Sequence, residues 1–136
     1  MRVVWHGDQV VRQVEQHMRR NLETAAIFVE REAKRNARAG GSSGFETSHG
    51  GAGLAGSIEH EVDWPVARIG SNLKYARIHE LGGVIRPVTA QYLHFVIDGA
   101  HIMTKVVHMP ARPYLRPAID NNHAHIQDIL ARPMRG

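Results

Sequence analysis

Apolar residues recur at intervals of three and four along the first third of the chain. The recurring positions are Val11, Val14, Met18, Leu22, Ala25, Val29, Ala33 and Ala37. This period places them along one stripe of an α-helix, and no Gly or Pro interrupts the chain from Asp8 to Ala39. Asp8 follows Gly7 and suits an N-cap, because its carboxylate can accept hydrogen bonds from the first free amides of a helix. The pattern predicts one helix of about 30 residues, roughly 45 Å long.

This predicted helix is longer than the body to which it belongs. A compact chain of this length forms a sphere about 37 Å across. We therefore expect one end of the helix to extend beyond the domain, and its apolar stripe then needs a partner. Another copy of the chain is the simplest partner. The alternative is a helix that kinks and stays within the monomer.

The segment that follows the helix, at about residues 39–53, is rich in Gly and Ser. Six of its fifteen residues are glycine, which predicts a flexible loop. The segment lacks the Gly-Lys-Ser/Thr ending of a phosphate-binding loop, so it does not indicate a nucleotide site.

The middle of the chain alternates as β-strands do. The segments 57–62 and 66–70 flank Trp64-Pro65, which predicts a hairpin. The apolar runs 92–97 and 102–107 flank a turn that begins at Asp98-Gly99, and Asp-Gly is a strong hairpin signal.

Two further helices complete the predicted fold. A short one runs from Leu73 to Leu81 and stops at Gly82-Gly83. A last helix runs from about Pro113 and ends at Pro133. The order of elements predicts an α+β fold in one domain, 1–136: a long N-terminal helix, a small antiparallel sheet, a short middle helix and a C-terminal helix packed on the sheet.

Composition narrows the class of function. The formal charge is +4, from 17 Lys and Arg against 13 Asp and Glu, and no run of five or six basic residues indicates a nucleic-acid arm. A basic DNA-binding module remains an alternative. Disulfides and thiolate chemistry are excluded because the chain has no Cys. No apolar run reaches the roughly 20 residues of a membrane span, and the N-terminus lacks a signal-peptide pattern. We expect a soluble protein made in a cytoplasm.

The candidate chemistry is sparse. The ten histidines lack metal-ligand spacing: His123 and His125 point apart on a helix, and His79-Glu80 lacks the second His of a zinc-protease helix. Glu59, Glu61 and Asp63 share one face of a strand, which is more typical of the wet side of a sheet than of a cation site. We predict no catalytic residue, no metal ligand and no cofactor. A metal-dependent hydrolase stays an alternative, because strand histidines could meet in space.

The segment Met109–Ala118 is the most specific part of the sequence. Its prolines stiffen the approach to a helix, and Pro113 suits the first helical turn. Arg112 and Arg116 lie four residues apart and would project from one side of that turn, with Tyr114 and Leu115 as an apolar plug. This composition is typical of an interface anchor. The alternative is an internal helix start with solvated arginines.

Three blocks of sequence, in order, resemble the neck or tail-completion proteins of long-tailed double-stranded DNA phages. The first is Gly53-Leu54-Ala55-Gly56-Ser57-Ile58, similar to a TG-x-L-x-x-SI pattern, with Ala52 where Thr is usual. The second is Tyr75-Ala76-Arg77-Ile78-His79-Glu80-Leu81-Gly82-Gly83, similar to a YA-x-x-x-E-x-G signature. The third is Met109-Pro110-Ala111-Arg112-Pro113-Tyr114-Leu115-Arg116-Pro117-Ala118, close to a PARP-aromatic-LRPA ending. A virion-morphogenesis family from contractile-tailed, transposing phages shares the Gly-Gly and PARP-aromatic-Leu pattern.

The resemblance implies a non-enzymatic part of the joint between phage head and tail. It implies a homo-oligomeric ring, hexameric by analogy, in the neck or tail of the virion. Its partners would be further copies, the adjacent connector or stopper, and the tail terminator or tail tube. Genomic DNA would pass through the lumen without sequence-specific binding, and no membrane is involved. The candidate interaction residues are Tyr75, Glu80, Arg112, Tyr114 and Arg116.

Overall fold

Helix α1, Gly7–Ala39, is the longest element. Its 33 residues span about 50 Å. The computed structural model describes residues 3–39, 53–74, 76–87, 90–91, 93–97 and 99–134, and α1 is helical without a break through its range. The predicted N-cap is wrong: Asp8 lies inside the first turn, where its charge favours the positive end of the helix dipole.

The two halves of α1 differ in burial. Residues 3–20 include no buried side chain. Burial begins at Asn21 and continues along the predicted stripe at Ala25, Val29, Ala33 and Ala37, with Ala26, which lies beside the stripe, also buried. These small side chains let other elements approach the helix closely. The predicted overhang is therefore confirmed, and it is the N-terminal half of the helix that extends from the core.

The remaining elements alternate short helices with short strands. In chain order they are α2 Gly53–Ser57, β1 Ile58–Asp63, β2 Val66–Ser71, α3 Ala76–Leu81, β3 Gly83–Ile85, β4 Leu93–Ile97, β5 Ala100–Thr104, β6 Val107–Met109, α4 Leu115–Asp120 and α5 His123–Leu130. The α+β class predicted from the sequence is confirmed. Residues 40–52, which make up most of the predicted Gly/Ser-rich loop, lie outside the described residues.

The strands pair as three two-stranded antiparallel sheets, β1–β2, β3–β6 and β4–β5. The predicted hairpin at Trp64-Pro65 joins β1 to β2, with Ile58 opposite Ser71. The Asp-Gly hairpin joins β4 to β5: Ile97 pairs with Ala100, and Gly99 has a φ of 80°, which suits glycine in a two-residue turn. In the sequence, the hairpin β4–β5 lies between β3 and β6, which pair with each other. The single small sheet of the prediction is thus divided into pairs.

Two helix boundaries differ from the prediction. Helix α3 begins at Ala76, not at Leu73, and ends as predicted at Gly82, whose φ is 71° and whose N–H donates to the carbonyl of Ile78 over 2.7 Å. The predicted C-terminal helix is two helices. The side-chain amide of Asn122 donates to the carbonyl of Ala118 over 3.0 Å, and such local bonds compete with the helical ladder.

One core joins α1 to the elements that follow it. It includes Val29, Ala33, Ala37, Leu54, Ala55, Ile58, Ala76, Tyr114 and Ala118, with Phe28, Ile69, Leu73, Leu115 and Ile126 packed against it. A polar contact holds the end of α5 to α1: the buried Asn21 amide donates to the carbonyls of Leu130 and Arg132, over 3.2 and 3.1 Å.

Candidate assembly surfaces

The Glu80 carboxylate caps the first turn of α4. Its Oε2 accepts the backbone N–H groups of Tyr114 and Leu115, over 2.7 and 2.9 Å, and its Oε1 accepts the N–H of Arg116 over 2.9 Å. The N-cap residue of α4 is Tyr114, which makes no side-chain capping bond. A carboxylate from α3 therefore replaces the missing cap and also favours the positive end of the helix.

The Tyr114 side chain points into the core. It is 3% exposed, and its hydroxyl donates to the carbonyl of Ala76 over 3.3 Å. Its own carbonyl accepts the side-chain amide of Asn36 over 3.2 Å. Burial raises the pKa of the phenol, and the nearby Glu80 charge raises it further. The expected surface plug is therefore wrong for this chain, because Tyr114 packs internally.

The Arg112–Arg116 turn presents its two guanidinium groups at the surface. Both arginines are exposed, while the backbone of the turn is fixed from within: the N–H of Arg112 donates to the carbonyl of His79 over 2.7 Å. Burial lowers the pKa of the His79 imidazole, and the Arg112 charge lowers it further. Contact of these arginines with a partner stays a prediction. Helix α4 begins at Leu115, so the predicted place of Pro113 inside the first turn is wrong. Tyr75 lies outside the described residues.

The three sequence blocks meet in one place. Leu54, Ala55 and Ile58 from the first block share the core cluster with Ala76 from the second and Tyr114 from the third. Glu80 adds a polar link between the second and third blocks. The blocks therefore determine how the chain packs on α1. One feature of the sequence is consistent with the bond between Glu80 and α4: the N-cap position of α4 is Tyr114, which cannot accept hydrogen bonds from the first amides of the helix as Ser, Thr, Asn or Asp would.

An exposed apolar surface lies on the overhanging half of α1. Val10, Val11, Val14 and Met18 are 54, 63, 40 and 46% exposed. With Trp64 at the tip of the β1–β2 hairpin they line an open groove of about 350 Å³, which has Glu15 at its edge. This groove is a feature of the tertiary structure, because Trp64 comes from a different element.

A histidine between two carboxylates joins β1 to α1. Nε2 of His60 bonds to Oε1 of Glu23 over 2.8 Å, and Nδ1 bonds to Oε2 of Glu30. The hydrogen bond with Glu30, then the one with Glu23, raises the pKa of His60 against the effect of burial. Lys34, which bonds to Glu30 over 2.6 Å, is the main cause that lowers the pKa of Glu30, with His60 adding to it. The sequence alone does not identify this cluster, because its members are 30 and 37 residues apart.

Candidate chemistry is limited in the part of the chain that the structure describes. Glu59, Glu61 and Asp63 are exposed on β1. Within these described ranges, no three or more His, Asp or Glu side chains form a group that could hold a metal ion. The carboxylates at His60 approach different ring nitrogens and do not converge on one point. None of the described helices is both long and apolar enough to cross a membrane.

Comparison with known families gives one match. The sequence model of the phage virion morphogenesis family matches residues 25–135. The chain belongs to the phage virion morphogenesis family. This range begins within the buried part of α1 and includes all three sequence blocks. The overhanging half of α1 lies before it. No curated protein and no solved structure matches the chain.

Membership of the phage virion morphogenesis family confirms the prediction of a phage virion protein. It does not test the predicted role in the neck. The chain is a protein of a phage virion family, as the three blocks indicated. The match supports a phage virion protein, but not specifically a member of the neck or tail-completion group. Neck position, ring formation and individual partners stay proposals.

Proposed function

We propose that this protein is a non-enzymatic, ring-forming component of the phage neck, which completes the tail and joins it to the connector. The exposed apolar half of α1 carries the proposal. A soluble monomer rarely leaves so long an apolar stripe uncovered, and copies of one chain that contact head to tail close into a ring when the rotation permits. Family membership supports a role in virion assembly.

In the proposed ring, different surfaces meet different neighbours. The overhang of α1 and the open edges of the strands join subunits. The arginine turn, held by Glu80, meets a neighbouring subunit or an adjacent connector, stopper, tail terminator or tail tube. Six subunits, by analogy with the neck proteins that the sequence resembles, surround a lumen through which DNA passes without sequence-specific binding.

Electron microscopy of phage particles tests the proposed position. Particles made without this chain should contain filled heads and finished tails that are not joined, and the purified chain should form one ring size in native mass spectrometry. A strictly monomeric protein that is absent from virions would contradict the proposal.

A second candidate is a morphogenesis protein of a contractile tail, which the Gly-Gly and PARP-aromatic-Leu pattern of the sequence resembles and with which membership of a virion morphogenesis family is compatible. Loss of the chain would then leave shortened or absent tails, which the same micrographs distinguish from unjoined ones.

A DNA-binding module is a further alternative, motivated by the exposed arginines of α1. Three of the basic residues of this helix form ion pairs within it, Arg19–Glu15, Lys34–Glu30 and Arg35–Glu32. Binding to DNA phosphates would weaken steeply with salt. Absence of DNA retention at low salt would remove this alternative.

A further inference from the structure

Strand β1 follows α1 from the core out to the overhang. Ile58, at the start of the strand, belongs to the core cluster with Val29 of α1. Trp64, just past the end of the strand, borders the groove on the overhang with Met18. His60 lies between these two regions. Its bonds to α1 therefore mark the point at which the hairpin passes from the buried half of the helix to the exposed half.

The two bonds of His60 require both nitrogens of the imidazole to be donors. Nε2 faces Oε1 of Glu23 over 2.8 Å, and Nδ1 faces Oε2 of Glu30. An ionised carboxylate has only acceptors, whereas a neutral imidazole has one N–H and one lone pair. Both bonds are therefore satisfied at the same time only by the doubly protonated, positively charged imidazole.

The two carboxylates that face His60 are not equivalent. The side chain of Glu30 is 18% exposed, and its other oxygen accepts a hydrogen bond from the Lys34 ammonium over 2.6 Å. The side chain of Glu23 is 48% exposed. Leaving an acceptor unpaired costs more where water cannot reach it. When the imidazole loses a proton, the remaining N–H therefore stays with Glu30, and the lone pair on Nε2 then faces the Glu23 carboxylate, which is a contact between two acceptors.

We propose that His60 is a proton-operated latch: the charged imidazole holds the β1–β2 hairpin against α1, and loss of one proton opens the bond to Glu23 and releases the end of the hairpin that carries Trp64. The base of the hairpin stays in place, because Ile58 is fully buried in the core. The groove on the overhang is thereby complete only while His60 is charged. The latch adds a control of shape to the proposed function and does not depend on ring formation.

The direction of the switch follows from the groups around the imidazole. Besides the two bonded carboxylates, the charged side chains nearby are Lys34 on α1, the exposed Glu59 and Glu61 on β1, and the exposed Arg68 on β2. The hydrogen bond with Glu30, then the one with Glu23, raises the pKa of His60 above its ordinary value. The imidazole is therefore charged at pH values below about 6.5, and the latch opens as pH rises through the higher pKa of the folded state.

The fluorescence of Trp64 tests the latch. The chain has two tryptophans, so Trp5→Phe leaves Trp64 as the single reporter. As pH rises above about 6.5, we expect acrylamide to quench Trp64 more strongly and its emission to shift to longer wavelength. Far-UV circular dichroism should stay unchanged over the same range, because the elements themselves do not unfold.

Two variants, both made in that single-tryptophan chain, distinguish the latch from a general effect of pH. His60→Gln keeps one amide that can donate to Glu30 and turns an oxygen toward Glu23, so Trp64 should be released at every pH. Glu23→Gln should do the opposite, because its amide donates to the neutral Nε2 and its oxygen accepts from the charged imidazole. Trp64 should then stay held at every pH. Glu61→Gln, at an exposed position on the same strand, is the matched control and should keep the pH step.

Three results would overturn the latch. A pH step of equal size in His60→Gln would assign the change to another group. A released Trp64 in Glu23→Gln would contradict the donor and acceptor geometry at His60. Absence of any step in the single-tryptophan chain would show that the hairpin does not move. None of these results bears on ring formation, which native mass spectrometry tests separately.

Discussion

At the scale of single residues, Glu80 is a charged residue whose main contacts are hydrogen bonds within the fold. Its carboxylate accepts three backbone N–H groups at the start of α4. Bonds of this type to a charged acceptor are stronger than neutral ones. Glu80 therefore positions the Arg112–Arg116 turn, although it is not itself at the exposed surface of that turn.

We expect Glu80→Ala to lower the free energy of unfolding by about 2 kcal/mol, because a helix cap is removed and backbone donors are left without their acceptor. Urea denaturation measures the change. Glu61→Ala on the wet face of β1 is the control and should change stability by less than about 0.5 kcal/mol. An equal loss in both variants would show that the cap contributes nothing specific.

His60 predicts a pH dependence of stability. Its pKa is raised in the folded state by Glu30 and Glu23, so its contribution is complete below the unfolded pKa of about 6.5 and is lost as pH rises through the higher folded pKa. Glu23 and Glu30 bond to the His60 ring, and Lys34 bonds to Glu30.

The variant His60→Gln isolates this contribution. The difference in melting temperature between the unaltered chain and the variant should be largest below pH 6.5 or so and should shrink as pH rises above that value. Taking the difference removes the contribution of His79, whose pKa shifts downward and which therefore opposes His60. A constant difference across this range would contradict the predicted protonation of His60.

At the scale of elements, α1 combines two environments in one continuous helix. Its C-terminal half is stabilised by packing, whereas residues 7–20 include no buried side chain. The described polar bonds of that part include the ion pair Arg19–Glu15 and a bond from Nε2 of His17 to the carbonyl of Arg132 over 2.6 Å. Short helices without tertiary contacts are marginal in water. We therefore expect stability to vary along the helix.

Hydrogen exchange of the monomer should show this gradient. Amides of residues 10–18 should exchange near the rate of local fraying, and those of residues 25–37 should approach the rate of global unfolding. Protection of the first set should rise on assembly, while the second set serves as the internal reference. Uniform protection along α1 in the monomer would mean that the overhang is stabilised by contacts within the chain.

At the scale of the whole molecule, a substitution in the Arg112–Arg116 turn can distinguish an effect on assembly from an effect on folding. Arg112→Glu reverses an exposed charge while its backbone N–H can still donate to the carbonyl of His79. We expect the melting temperature to change by no more than a few degrees, as for surface substitutions, and the yield of rings in native mass spectrometry to fall.

Arg68→Glu, at an exposed position on β2, provides a matched charge reversal away from the turn. Loss of folding in Arg112→Glu alone would assign the turn to internal scaffolding. Unchanged rings in both variants would remove Arg112 from the assembly surface.

Short-range patterns along the chain predict most of the local elements and the broad family correctly. The three-and-four spacing of apolar residues predicts α1 and its overhang, and the Asp-Gly turn predicts the β4–β5 hairpin, because both signals depend on neighbours close in the chain. The three ordered blocks indicated a phage virion protein. Local patterns failed at Leu73, Pro113 and Asn122, where capping and side-chain bonds decide the helix boundary.

Whether a side chain faces the core or the solvent became known from the folded chain alone. Tyr114 is a residue type that is common in interface anchors, but in this chain it is buried in the core and forms hydrogen bonds with Ala76 and Asn36. Glu80, His60 and Trp64 each act on an element distant in the sequence, and no period or spacing encodes such contacts. The physical reason is that burial and long-range hydrogen bonds depend on how α1 packs against the rest of the chain, whereas periodicity reports only which side of one element is apolar.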